Sequence, residues 1–320
     1  MEGTMIQNES TPLRPTYTVS MKPLPFAPER LDGLSPGLLE SHYKNNYGGA
    51  VKRVNDIRAQ LAQLDWSQEP TFVINGLKRE ELIAANSALL HELYFDNLGG
   101  NGDLRPAGLS VGFGRDFGGF ELWQNEFRAL AKAMGGGSGW ALCSWSSREN
   151  RLINHWAADH THLLGAATPL LALDMYEHAY HMDFGTNVPA YIDAFMRNLD
   201  WQKVTERYVD AVERDAGPWA IANTDVIGAE EPVMILDVRR AGTVQAAPDL
   251  IANATWQDPE RVEDWAESLP RSSPVVVYCV YGHEVGQSTT AILRSKGIDA
   301  KYLTGGINAW KAAGLPVQEK

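Results

Sequence analysis

The stretch LALDMYEHAYHMDFG, residues 171–185, sets an aspartate, two histidines and two tyrosines into an apolar run. Read as a helix, it brings Asp174 and His178, four residues apart, onto one face. A carboxylate and an imidazole paired in this way can be a surface ion pair, a polar pair inside a core, or half of a metal site. The spacing alone does not choose among the three. The choice depends on what the rest of the chain supplies.

Composition sets the frame. A chain of 320 residues suits two domains, or three. Its 44% hydrophobic content and ten tryptophans are enough for packed cores. No run approaches the roughly 18 apolar residues of a membrane-spanning helix, so no membrane association is expected. Residues 1–16 lack the basic-then-apolar pattern of a secretory signal and read as a flexible tail. Cys143 and Cys279 lie far apart, which points to a reducing cytoplasm rather than a disulfide scaffold. A net charge of −12 argues against a nucleic-acid partner.

Ser35-Pro36 is a helix start, and Leu39, Tyr43, Tyr47, Val51, Val54, Ile57 and Leu61 then recur at helical spacing. Gly48-Gly49 inside this helix costs about 2 kcal/mol against alanine, so a bend or a close contact is expected there. A second helix covers residues 78–98 and stops at Gly99-Gly100, and a third covers residues 117–134. GWALCSW and LINHWAAD flank the polar turn SSREN and read as a strand pair. After residues 171–185 come two more helices, VPAYIDAFMRNL and WQKVTERYVDAV, the second capped by Asp200. A mixed polar segment with Gly and Pro follows. Beyond it the short apolar strands VMILDV, PVVVYC and KYLT alternate with helical pieces, the pattern of a small parallel α/β domain.

Seven of the eight histidines precede that segment. His42 lies in the first helix and His91 in the second, between Leu90 and Leu93, where a surface histidine is out of place. Taken singly, each is explained by a hydrogen-bonded, half-buried imidazole. Taken with Asp174 and His178 they make three neutral nitrogens and one carboxylate, a set that leaves a coordination position open and suits Fe or Mn.

HYKNNYGGA, LLHELYF, FGGFELWQNEF, GGGSGWAL, PLLALDMYEHAYHMDFGTNVPAYIDAF and NLDWQKVTERY, in this order, resemble the iron/manganese superoxide dismutase family. The resemblance implies an N-terminal helical hairpin and a C-terminal α/β part with a small antiparallel sheet, holding one Fe or Mn ion per subunit between them. It implies His42, His91, Asp174 and His178 as ligands, superoxide as substrate, and a homodimer closed through Glu177, His178 and His181. Tyr47 and His160 are the candidate catalytic side chains beside the metal. Family members place a glutamine against the metal-bound water, either on the second helix or on a strand. Here the helix position is Ser87, too short to reach, and His160 is expected to serve instead, with Asp159 as the alternative.

Other positions depart from the family. The usual tyrosine eight residues after the first ligand is Ala50, and the usual histidine four after it is Asn46. The tyrosine that partners that histidine across the dimer is His181, an exchange that keeps a hydrogen bond available. The usual arginine before the proline of NVPAY is Val188, and the usual tryptophan between Asp174 and Glu177 is Tyr176.

MILDVRR, VVVYCVYGHEVGQS and YLTGGINAWKAAGLPV resemble the rhodanese domain, which implies Cys279 as a sulfur-carrying nucleophile cradled by loop residues 280–285. A thiol at a helix mouth is expected to have a depressed pKa. Glu284 stands where the family usually has arginine, and is expected to face the loop, oppose that depression and repel an anionic donor such as thiosulfate.

The expected organisation is multi-domain α/β: a tail (1–16), a dismutase-like domain (17–213, divided at 112/113), a linker (214–230) and a rhodanese-like domain (231–320). The expected activity is superoxide dismutation with an uncertain second activity, sulfurtransfer. Two alternatives stay open: a metal protein of the same fold with another redox substrate, and a rhodanese-like domain that only mediates interactions.

Overall fold

A computed structural model describes residues 15–104, 108–230 and 232–320. Helix α1 (Pro36–Ser41) starts as expected, with Ser35 Oγ accepting from the Leu38 amide at 3.1 Å. The helix then widens into a π-helical turn (His42–Tyr47) before continuing as α2 (Gly48–Ala62). Such a turn is rare and marks functional positions, and here its first residue is His42. The bend expected near Gly48-Gly49 is this widening, and a β-carbon on Gly48 would sit 3.1 Å from Met21 Sδ. Helix α3 (Thr71–Asp96) is longer than its sequence pattern suggested and packs on α2 through Val54, Ile57, Leu61 and Ala84.

A helix not expected from the sequence, α4 (Gly108–Phe117), precedes the third expected one, residues 117–134, which is α5 (Phe120–Ala133). Gly118 and Gly119, with φ of 83° and 140°, separate the two. Strands β1 (Trp140–Ser146), β2 (Arg151–Ala157) and β3 (Ala167–Asp174) form an antiparallel sheet in the order β2-β1-β3, with β1 wholly buried in the centre. Asp174 therefore ends a strand, opposite Trp140, and does not lie on a helix. A single 3₁₀ turn (Glu177–Ala179) carries His178 back to the strand end. Helices α6 (His181–Phe184), α7 (Val188–Arg197) and α8 (Trp201–Ala216) follow, and Asp200 caps α8 through the amides of Gln202 and Lys203.

The chain then passes through β4 (Ala220–Ile221), α9 (Asn223–Ile227), β5 (Met234–Asp237), α10 (Ala241–Ala246), β6 (Asp249–Ile251), β7 (Thr255–Trp256) and α11 (Val262–Ala266). It ends with β8 (Val275–Tyr278), α12 (Glu284–Ser295), β9 (Ala300–Leu303), α13 (Gly306–Ala312) and β10 (Val317–Glu319). A five-stranded parallel sheet runs β4-β9-β8-β5-β7, and β10 pairs antiparallel with β6. Residues 214–230, read from sequence as a linker, thus contain a strand of this sheet. Ala220 and Ile221 pair with Tyr302 and Leu303.

Buried hydrogen bonds at the end of α3 join the helices before α4 to the sheet and helices after it. Asn97 is fully buried; its side-chain carbonyl accepts from the Ala172 amide at 3.0 Å and its amide group donates to Leu170 O at 3.4 Å. Its backbone carbonyl accepts from the Asp200 amide at 2.7 Å. Arg207 adds an ion pair to Asp96 and a bond to Leu170 O at 2.9 Å. Asn97→Ala would orphan a buried strand amide, so urea unfolding should show a loss of about 1–3 kcal/mol. An unchanged midpoint and slope would show that these bonds do not join the halves.

Candidate metal centre

Four elements deliver one ligand side chain each: the π-helical turn (His42), α3 (His91), the end of β3 (Asp174) and the 3₁₀ turn (His178). Their donor atoms all lie within 4.8 Å of one another. Asp174 Oδ2 is 3.0 Å from His42 Nε2, 3.1 Å from His178 Nε2 and 3.5 Å from His91 Nε2, and the last two nitrogens are 3.4 Å apart. Atoms bound at about 2.1 Å to a common ion lie about 3.0 to 3.4 Å apart, so this spacing fits one metal ion.

The protonation states suit that use. His91 Nδ1–H donates to Ser87 O at 2.7 Å, which fixes the tautomer and leaves the Nε2 lone pair directed inward. Burial pushes the His91 pKa down to about 3 and also lowers that of His42, overcoming the pull of Asp174 on both. For Asp174 burial acts the other way, but hydrogen bonds from His178 and His42 hold the carboxyl well below its usual range. Neutral His42 and His91 imidazoles beside an ionised Asp174 result. Asp174 is oriented further by the Tyr176 amide on Oδ1 (2.9 Å) and by Tyr191, whose hydroxyl donates to the Asp174 carbonyl at 2.7 Å.

Aromatic rings surround the cluster. His42 packs against Tyr94 and Phe95 at 4.9 and 5.0 Å. Tyr176 lies between two histidines, stacked on His178 at 5.4 Å and on His160 at 5.1 Å. The Trp140 indole N–H donates to His160 Nδ1 at 2.9 Å, and the His160 ring is 6.1 Å from that of His91. Since an indole nitrogen can only donate, Nδ1 is the acceptor and a neutral His160 carries its proton on Nε2. Asp159, the alternative to His160, instead accepts from the amide and hydroxyl of Thr161 in its own turn. Tyr47 is buried beside Phe95, and its hydroxyl accepts from the Lys22 amide (2.9 Å) and donates to Glu92 (3.3 Å). Nothing in the residue pattern singles out Trp140 or Tyr191. Their roles follow from the β1–β3 register and from the turn leading into α7, which only the fold brings together.

Cys279 follows β8 and is 6% exposed. Burial raises its pKa, against the lowering by the amides of Gly286, Tyr281, His283 and Gly282. The expected depression is therefore corrected: the amide cradle exists, but desolvation outweighs it. Glu284 is also not where the sequence suggested. It opens α12 with its side chain turned to α4, where a β-carbon on Gly108 would overlap its carboxyl group. Cys143 is buried in β1 with its pKa pushed up to about 12 by desolvation.

Residues 107–207 match the family model for the C-terminal domain of iron/manganese superoxide dismutases. A superoxide dismutase [Fe] of Cupriavidus metallidurans is 58% identical over 192 residues, covering 60% of this chain and 97% of that protein. The chain belongs to the iron/manganese superoxide dismutase family. A superoxide dismutase [Fe] of Aquifex pyrophilus is 34% identical over 58% of this chain and 89% of its own length, and a superoxide dismutase [Mn] of Halobacterium salinarum 32% over 60% and 96%. Residues 225–313 match the rhodanese-like domain, so the dismutase-family chain carries a rhodanese-like domain after it.

Two of the four ligand side chains come from each half of the dismutase part, so a bound ion would staple the halves together. His42→Ala or Asp174→Ala should lose the metal and markedly lower the melting temperature of the loaded protein. Elemental analysis showing a full, unchanged metal content in either variant would reject the ligand set.

Proposed function

We propose that this protein is a metal-dependent superoxide dismutase working as a homodimer in a reducing cytoplasm, with one Fe or Mn ion per subunit held by His42, His91, Asp174 and His178. The observation that carries this reading is the convergence of those four donors, three imidazoles and one carboxylate, at spacings that suit a single ion. A bound Fe or Mn ion would supply one-electron redox chemistry between +3 and +2, which the disproportionation of superoxide to dioxygen and hydrogen peroxide requires.

The protein's own groups supply the rest. Each peroxide needs two protons, and His160, its ring 6.1 Å from that of His91, can hold one on Nε2 because Trp140 occupies its Nδ1. Burial lowers the His160 pKa, so it is a neutral donor rather than a fixed cation. Tyr176, stacked between His160 and His178, keeps the two rings parallel and excludes bulk water from the gap between them. Val188, where relatives place an arginine, removes one positive group from the approach, so steering of the anion is weaker here.

Superoxide decay followed by pulse radiolysis in the presence of the metal-loaded protein tests the reaction. Catalytic decay is expected, and His160→Ala should slow it at least tenfold with metal content unchanged. Full metal loading with no catalysed decay would favour another redox substrate, in line with the altered Ala50 and Val188 positions.

Glu177 and His181 are exposed beside half-exposed His178, on a segment that a two-fold axis can bring back onto itself. These three residues are the proposed dimer contact. Glu177→Ala should raise the dimer dissociation constant and weaken metal retention together. A metal-loaded wild type that sediments as a monomer would overturn the dimer.

A further inference from the structure

Helix α4 belongs to the dismutase part of the chain, yet only one of its faces packs there. Leu109 and Phe113 join the dismutase core, and Gly112 lies against Leu152 and the Tyr208 hydroxyl. The other face, Gly108, Val111 and Gly114, one helical turn apart in succession, meets the rhodanese-like domain. Val111 is 1% exposed and belongs to the hydrophobic cluster that contains Val238, Val262, Val285 and Cys279. Glu284 lies on Gly108, and Glu260 lies on Gly114, where an added β-carbon would overlap its carboxyl group.

The rhodanese-like side of this contact is the segment that holds the thiol. Cys279 is followed by the loop that supplies its amide cradle and then directly by Glu284, the first residue of α12. From Val285 to Leu293 every residue of α12 is buried. The Tyr208 hydroxyl of α8 bonds to Ser288, and Asn150 donates to Ala291 O at 3.4 Å, so α12 is held along its length by the dismutase part. Arg151 pairs with Glu263 at 3.3 Å at the edge. The loop itself is anchored from below, by the amides of Ile307 and Asn308 on the carbonyls of Cys279 and Val280. Beyond His283 the loop runs straight into Glu284, the first residue of α12, which packs on Gly108.

We propose that the Gly108–Val111–Gly114 face of α4 is a clasp that holds the Cys279 loop closed, with Glu284 as its positioning residue. The Glu284 carboxylate fastens the two domains instead of facing the sulfur. Cys279 then reacts at the rate at which the clasp opens, and the dismutase part controls the thiol of its neighbour. The claim concerns access to the sulfur and holds whether or not the domain transfers sulfur.

The test places the perturbation in one domain and the readout in the other. Gly114→Leu keeps a helix-compatible residue on α4 but wedges Glu260 away; Val111→Ala, milder, removes the apolar contact without adding bulk. Both should be loaded with metal as the full chain and treated with iodoacetamide, the rates at Cys279 and Cys143 being read by peptide mass. The expected result is at least tenfold faster alkylation of Cys279 in either variant, with Cys143 unreactive, dismutation unchanged and circular dichroism unaltered. Cys279 rates equal to wild type in both variants would overturn the clasp. So would Cys279 and Cys143 becoming reactive together, since that reports general unfolding. If Gly114→Leu does not fold, the Val111→Ala rate decides alone.

Discussion

The structure depends on one buried carboxylate. Asp174 has no exposed surface, and its Oδ2 lies within hydrogen-bonding distance of His42 and His178 at once. An isolated charge so placed would cost many kcal/mol, and is tolerated only if paired. Its partners come from the N-terminal helices and from the turn just after it, so the requirement to satisfy Asp174 forces the two halves of the domain together. The Tyr191 hydroxyl on its carbonyl and the Tyr176 amide on its other oxygen extend the same demand to α7 and to the 3₁₀ turn. The ligand geometry is thus built from elements that must already be docked.

Much of this was legible in the residues, and the exceptions have physical causes. His91 between Leu90 and Leu93 and the D-x-x-x-H spacing raised a metal site as one reading, and the resemblance to the dismutase family named the four ligands together. The helical reading of residues 174–178 was not correct, because a four-residue spacing also closes over a strand end followed by one 3₁₀ turn. Periodicity cannot separate the two over so short a span. β3 was missed for a related reason: PLLALD is apolar on both faces, as a strand buried on both sides must be, and shows no alternation. The strand at Ala220–Ile221 was hidden by its length of two residues and by the Gly-Pro and acidic residues around it. Trp140 and Tyr191 lie far in sequence from the residues they orient.

The rhodanese-like domain shows where sequence reasoning carried the right residues to the wrong environment. A thiol before a helix predicts a lowered pKa when the helix end and loop amides act in partial solvent. Here the amides are present, but the thiol is 6% exposed and desolvation prevails. Glu284 was read in one dimension as a loop residue near sulfur. Its side-chain direction depended on a helix more than 160 residues earlier, whose presence the sequence did not reveal.

That helix is the more instructive case. GLSVGFGRDF has three glycines in ten residues and none of the strong helix formers except one leucine and one arginine. Two interior glycines alone disfavour it by about 2 kcal/mol against alanine. Yet each glycine has a neighbour pressed on it: Glu284 on Gly108, Leu152 and Tyr208 on Gly112, Glu260 on Gly114. The residues that weaken α4 as a helix are those that make it thin enough to lie between two domains. Its helicity therefore comes from packing on both sides, and removing either side would leave a segment with little preference for the helix. A spacer of this kind makes each domain's local stability depend on the other's presence, so the two parts are coupled by the energetics of the helix they share.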